Sequence, residues 1–190
     1  IARAAQRDHQ VREVAAHADP LDQRVDRRGV RVRTVRREGD PLVHIQGLEQ
    51  GVALMLRTTD ASTLADLNAA IATVSPAGRV GMVGYCWGGR STYLAACHAN
   101  IAAGVAYYGG GMTQLLPDTP RCPVMFHFGE RDSHIPPGDV DQVRKANPQG
   151  TFHLYPAGHG FNCSERQDFD PASAQLAFER TIEFFRKHVG

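Results

Sequence analysis

From about residue 60 onward the apolar positions fall into clear periods. Leu64, Leu67, Ile71 and Val74 share one face of a predicted helix capped at Asp60 or Ser62, and Pro76-Ala77-Gly78 ends it. A short apolar run at residues 80–83 leads into a glycine-rich turn and then a helix from Gly89 to about His98. Strands follow near residues 104–108 and 123–128, then a polar helix near 139–146 and a strand at 151–155. The last helix starts at Pro171 behind an Asp170 cap and runs to Val189, with Phe178, Ile182, Phe185 and Val189 on one face. Strands alternating with helices imply an α/β fold with a mostly parallel sheet and helices on both faces.

The first 40 residues behave differently. Their apolar content is Ala and Val scattered among Arg, Asp and Gln, and neither a period of two nor one of 3.6 persists. A weak helix at residues 2–17 and an alternating edge strand at residues 31–36 are the elements to expect there. All 14 aromatic residues lie between Tyr85 and Phe185, and residues 1–40 carry 10 basic against 7 acidic side chains. The chain therefore divides into an atypical Arg-rich segment, 1–47, and an α/β domain, 48–190.

Composition adds limits rather than a function. With 190 residues, 42% hydrophobic and 22% charged, the chain has the balance of one soluble domain. Basic and acidic residues number 21 and 20, so neither nucleic acid nor an anionic membrane is indicated as a partner. No apolar run approaches the roughly 20 residues of a membrane span, and no leader pattern is seen; a cytoplasmic protein is the expectation. Cys86, Cys97, Cys122 and Cys163 form no C-x-x-C pair and read as free thiols.

The chemistry concentrates at Gly84-Tyr85-Cys86-Trp87-Gly88-Gly89, between a predicted strand and a predicted helix. Small residues two positions either side of Cys86 would let strand and helix approach and lift the thiol above the sheet. The helix N-terminus favours thiolate, the attacking form, and the Trp87 N–H is placed to donate to an oxyanion. A thiolate nucleophile needs a base, and the base needs an orienting group. Asp132 and His159 each follow a predicted strand and would emerge at the same sheet edge as Cys86. Glu130 ranks second as the acid. His127 and His153, inside strands, read as packed or solvent-facing, and Cys97, Cys122 and Cys163 lack a comparable turn or base. The nine histidines show no metal-ligand spacing, so no metal is expected.

These segments resemble the dienelactone hydrolases, carboxymethylenebutenolidase-like α/β-hydrolases with a Cys-Asp-His triad. The resemblance is carried by Gly84 to Arg90, Tyr107-Tyr108-Gly109, Gly129 to Asp132 with Ile135-Pro136, Gly158 to Asn162, and the helix at residues 177–185. It implies hydrolysis of a small ester or lactone with no cofactor, with Cys86 attacking, Asp132 holding His159, and His159 moving the proton. By the same analogy Tyr107, His134 and Gly160 would line the pocket. Residues 1–47 lack the family's usual opening strands, its glutamate near the nucleophile, its second oxyanion donor and its basic residue for a substrate carboxylate; Glu49 and Arg57 would be forced choices. That departure points to a second class, an inactive hydrolase-fold fragment acting as a binding module; the expected reactivity of Cys86 gives a third, a redox-sensing thiol protein, against which the lack of a nearby resolving cysteine in sequence counts.

Overall fold

Among the described residues, alternating apolar runs and glycine-bounded turns become four short strands in one sheet. The structure, a computed structural model, describes residues 48–190. The expected helix at 2–17, the expected strand at 31–36 and the proposed boundary at residue 47 lie outside the described residues. Helix α1 spans Leu48–Met55 and belongs to a unit ending at that residue; residues 56–190 form the second unit.

Within the second unit the order is α2 (Asp60–Val74), β1 (Gly81–Tyr85), α3 (Trp87–His98), β2 (Ala103–Tyr107), β3 (Val124–Gly129), α4 (Pro137–Ala146), β4 (Thr151–Tyr155) and α5 (Pro171–His188). The strands pair in chain order, β1-β2-β3-β4, and every pair is parallel. Register follows the pleat, so Gly84, Ala106, Phe126 and Phe152 share one face while Tyr85, Tyr107, His127 and His153 share the other.

Helices cover both faces. On the first, α3 lies so close to β1 and β2 that an added Cβ at Gly104 would come within 3.0 Å of Thr92. Tyr93 of α3 packs on Phe126 at 6.0 Å, and Arg144 of α4 lies over the Phe152 ring. On the second face α5 brings Thr181 to Tyr107 and His127, and Phe185 and Val189 to Gly81. Between these layers Val105, Ala106, Phe126 and Phe128 are buried, each large one contributing about 1.5–3 kcal/mol. β1 is an edge strand of this sheet among the described residues, and its Val83 and Tyr85 are exposed.

Several helix ends differ from expectation in instructive ways. α2 is capped by Thr59, whose hydroxyl accepts from Ser62 N–H while the Ser62 hydroxyl accepts from Thr59 N–H. Asp60 is therefore the first helical residue and Ser62 the reciprocal partner. Asp60 instead binds Arg90 through both carboxylate oxygens, at 2.5 and 3.1 Å, and ties α2 to α3. Leu64, Leu67 and Ile71 do pack against the core, but Val74 ends exposed at the tip of the helix.

α5 starts at Pro171 with Asp170 accepting from Ser173 N–H, as the sequence predicts. Its buried stripe, however, is Ser173, Ala177, Thr181 and Phe184, while Phe178 is more than half exposed. Small and hydroxyl-bearing residues face the sheet there because the sheet face carries Tyr and His side chains that need both room and hydrogen-bond partners.

Candidate active site

The site is built on the turn between β1 and α3. Cys86 is the single residue joining them, and its backbone holds φ +53° and ψ −120°, a conformation that L side chains rarely adopt. Such a residue costs on the order of 1–3 kcal/mol and persists because its neighbours fix it. Cys86 N–H donates to Tyr107 C=O at 3.0 Å, while Cys86 C=O accepts from Gly89 N–H at 2.9 Å.

Glycine is required at Gly84, where an added Cβ would run into the Gly88 carbonyl, and at Gly89, where it would approach Tyr107 O within 2.6 Å. Gly88, expected to share that role, has open space where a side chain would be. The close approach is made by the positions two before and three after the thiol, because the helix has already turned by Gly89.

The three loops meet. His159 Nε2 lies 3.2 Å from Cys86 Sγ, and His159 Nδ1 lies 2.8 Å from Asp132 Oδ2. Asp132 is held in turn by the backbone N–H groups of His134 and Ile135, which donate to Oδ1 at 2.8 and 3.2 Å. Cys86 is exposed, whereas Asp132 and His159 are each only 7% exposed. The arrangement is a line from a buried carboxylate through an imidazole to the thiol of an exposed cysteine.

Its electrostatics are mutual. The hydrogen bond from His159 lowers the Cys86 thiol below its ordinary range, against the opposing effect of burial, with smaller help from the Trp87 N–H and the charge of Arg166. His159 is pushed up to about 9, first by its bond to Asp132 and then by Cys86. Burial pushes Asp132 up, but the bonds from His159 and from the His134 and Ile135 backbone outweigh it and hold the carboxyl low. Together these shift the pair toward thiolate beside imidazolium.

The other expected site residues fall in several places. Trp87 opens α3 as an exposed residue, and its backbone N–H faces the Cys86 thiol. Tyr107 is buried in the core with its hydroxyl 2.7 Å from Thr181 Oγ1; the ring that flanks His159, at 5.2 Å, belongs to Tyr108. Tyr108 also has positive φ, +35°, a backbone feature with no sequence signature at a tyrosine. His134 is exposed, its ring centroid 4.6 Å from that of His159.

Gly160 has φ +79°, and the space a side chain would take there is filled by Arg166, whose Cδ would lie 2.9 Å from the added Cβ. Glu130 is exposed and follows β3 directly, leaving Asp132 as the carboxylate in the relay. His127 is fully buried and His153 half-buried. Among the described residues, one cluster brings three metal-capable donors within 4.8 Å of one another: Asp132, His134 and His159. No helix among the described residues is long and apolar enough to cross a membrane.

An α/β sheet with a nucleophile turn, an acid after one later strand and a histidine after the next defines the α/β-hydrolase class. The family model of the dienelactone hydrolases matches residues 37–189, and the chain belongs to that family. Proteins of Methylorubrum extorquens and Escherichia coli, both provisionally named carboxymethylenebutenolidase, are each 34% identical to it over 80% and 81% of its length. The chain spans 60% and 64% of those two relatives. A Klebsiella pneumoniae crystal structure, described provisionally as a dienelactone hydrolase, superposes with a TM-score of 0.68 at 29% identity, covering 79% of this chain and 71% of that one. A Pyrococcus furiosus esterase shares the fold at 15% identity, with a TM-score of 0.55 over 67% of this chain and 62% of its own.

Proposed function

We propose that the protein hydrolyses a small ester or lactone by nucleophilic catalysis, with Cys86 as nucleophile, His159 as acid and base, and Asp132 as the group that orients His159. The observation that carries this reading is the unbroken chain of contacts from Asp132 Oδ2 through both nitrogens of His159 to Cys86 Sγ. Names borne by relatives at 34% identity support the ester or lactone class.

The thiolate attacks the carbonyl carbon, and the Trp87 N–H donates to the oxyanion that forms. Collapse breaks the bond to the leaving oxygen, which takes the Nε2 proton of imidazolium; in a lactone that oxygen stays tethered to the acyl group. The product is a thioester on Cys86 and a neutral His159. Water then gives a proton to Nε2 as its oxygen attacks the thioester, and collapse releases the acid and restores the thiolate beside imidazolium. Asp132 keeps the Nδ1 proton in place through both halves, so Nε2 alone exchanges protons.

Hydrolysis of p-nitrophenyl acetate and of a dienelactone by the purified chain tests the proposal, with circular dichroism confirming the fold of each variant. Turnover that vanishes in both Cys86→Ala and His159→Ala is the expected result. A folded wild type without turnover would overturn it and favour a binding module that retains the relay.

A further inference from the structure

A second imidazole stands at the mouth of the relay. His134 follows Asp132 by two positions, its backbone N–H bound to Asp132 Oδ1, and its ring tilts 36° against that of His159. Its Nδ1 lies 3.9 Å from Asp132 Oδ1 and 3.3 Å from Ser133 Oγ. Asp132 and His159 present buried side chains, 1% and 7% exposed, whereas the His134 side chain is 66% exposed. An ion arriving from solvent would meet His134 first and the buried pair behind it.

Zinc takes nitrogen and oxygen ligands at about 2.0–2.2 Å, which puts the donors of a tetrahedral site about 3.3 Å apart. The Asp132–His159 pair, at 2.8 Å, stands closer than that and opens by about 0.5 Å to admit the ion in place of the proton. The three donor atoms all lie within 4.8 Å of one another, so His134 closes by about 1.5 Å or less, a swing that its exposed side chain supplies.

We propose that Asp132, His134 and His159 form an inhibitory binding site for a divalent transition-metal ion, zinc foremost, in which the ion replaces the proton shared by His159 and Asp132. The Nδ1 proton of His159 leaves to solvent, the freed Nδ1 lone pair and a carboxylate oxygen bind the ion, His134 adds the third donor and water the fourth; no electron is transferred. The remaining ring proton then sits on Nε2 and can leave only as imidazolate forms, so His159 no longer cycles between acid and base. Imidazole with carboxylate selects zinc, copper or nickel over calcium and magnesium, which favour all-oxygen shells.

The site is a matter of side-chain arrangement and stands apart from turnover, so it is tested in Cys86→Ala, where neither the thiol nor hydrolysis contributes. Zinc chloride is titrated against a chromophoric chelator. The expected result is one ion per chain, with affinity falling at least about a hundredfold on adding His134→Ala, beyond the roughly 10–100-fold loss typical of an outer-shell partner. Adding His98→Ala, which removes a surface histidine paired with Asp118 at 2.8 Å, leaves the affinity unchanged.

In the wild type, zinc inhibits p-nitrophenyl acetate hydrolysis, and the same His134 substitution raises the concentration needed by a similar factor. Absence of stoichiometric binding in Cys86→Ala, or binding indifferent to His134, overturns the site. A wild type that binds zinc in this His134-dependent way but has no turnover supports the site while overturning the hydrolase proposal.

Discussion

His127 and His159 sit in neighbouring regions, one between the sheet and α5, the other at the sheet's rim, and both are buried with a partner at each ring nitrogen. Their acid–base behaviour is opposite. Burial holds His127 down to about 3, with the charges of His153 and Arg180 adding to the effect. His159 rises to about 9 under its bonds to Asp132 and Cys86. Hydroxyls surround the first and anionic groups the second, so what a buried imidazole can do is set by the charge of its partners.

The His127 region is a directional chain. Arg180 can only donate, and it does so to Tyr155 Oη at 3.1 Å; Tyr155 then donates to His127 Nδ1 at 2.7 Å. That leaves Nε2–H to donate to Thr181 Oγ1 at 3.1 Å, with Thr181 and Tyr107 sharing the last bond. The chain ties β2, β3, β4 and α5 together beneath the rim, and no buried side-chain polar atom among the described residues lacks a partner. The rim region instead presents an exposed cysteine on a residue of positive φ.

The largest expected effects break the rim. Cys86→Ala lowers kcat for p-nitrophenyl acetate by about 10⁴-fold or more at unchanged stability, read by steady-state kinetics beside a denaturation curve. Asp132→Asn follows with a loss on the order of 10³–10⁴, because the amide favours the wrong tautomer of His159.

The pH profile of kcat/KM sharpens the same contrast. Activity rises with pH as the Cys86 thiol ionises, below its ordinary range, and falls as His159 loses its proton near 9. Asp132→Asn moves the alkaline limb down toward the ordinary histidine range; an unmoved limb would detach Asp132 from His159.

Smaller effects belong to the buried chain. His127→Phe costs about 2–3 kcal/mol of stability by chemical denaturation, since it leaves Thr181 and Tyr155 short of a partner. Because the folded pKa of His127 is depressed, the unfolded chain takes the proton first, and its stabilising contribution is intact above about 6.5. That contribution shrinks by up to about 1.4 kcal/mol per pH unit as pH falls toward 3, a slope His127→Phe removes. Thr181→Val costs a similar amount, about 2–3 kcal/mol, because Tyr107 Oη and His127 Nε2 lose their partner, and it leaves kcat unchanged to within about twofold.

The relay was legible in the chain because each member carries a local signal. Cys86 lies between glycines at a strand-to-helix junction, Asp132 and His159 follow strand ends, and parallel strands deliver their C-terminal loops to one edge. Pocket neighbours were harder to read. Tyr107 and Tyr108 are adjacent, and only the alternation of the pleat, broken by a positive φ at Tyr108, decides which faces His159. Arg166 over Gly160 depends on how the loop after β4 folds back, for which no residue pattern stands.

By itself, therefore, the sequence determined the alternation of elements, the parallel sheet, the strand-to-helix turn at Cys86 and the order of Cys86, Asp132 and His159 along the sheet edge, because periodicity and glycine placement act over a few residues. Tertiary structure alone decided the protonation of the two buried histidines, the stripe of α5 that meets the sheet and the meeting of His134 with the relay. Those depend on which side chains from distant segments come within a few ångströms, where charge and desolvation act most strongly.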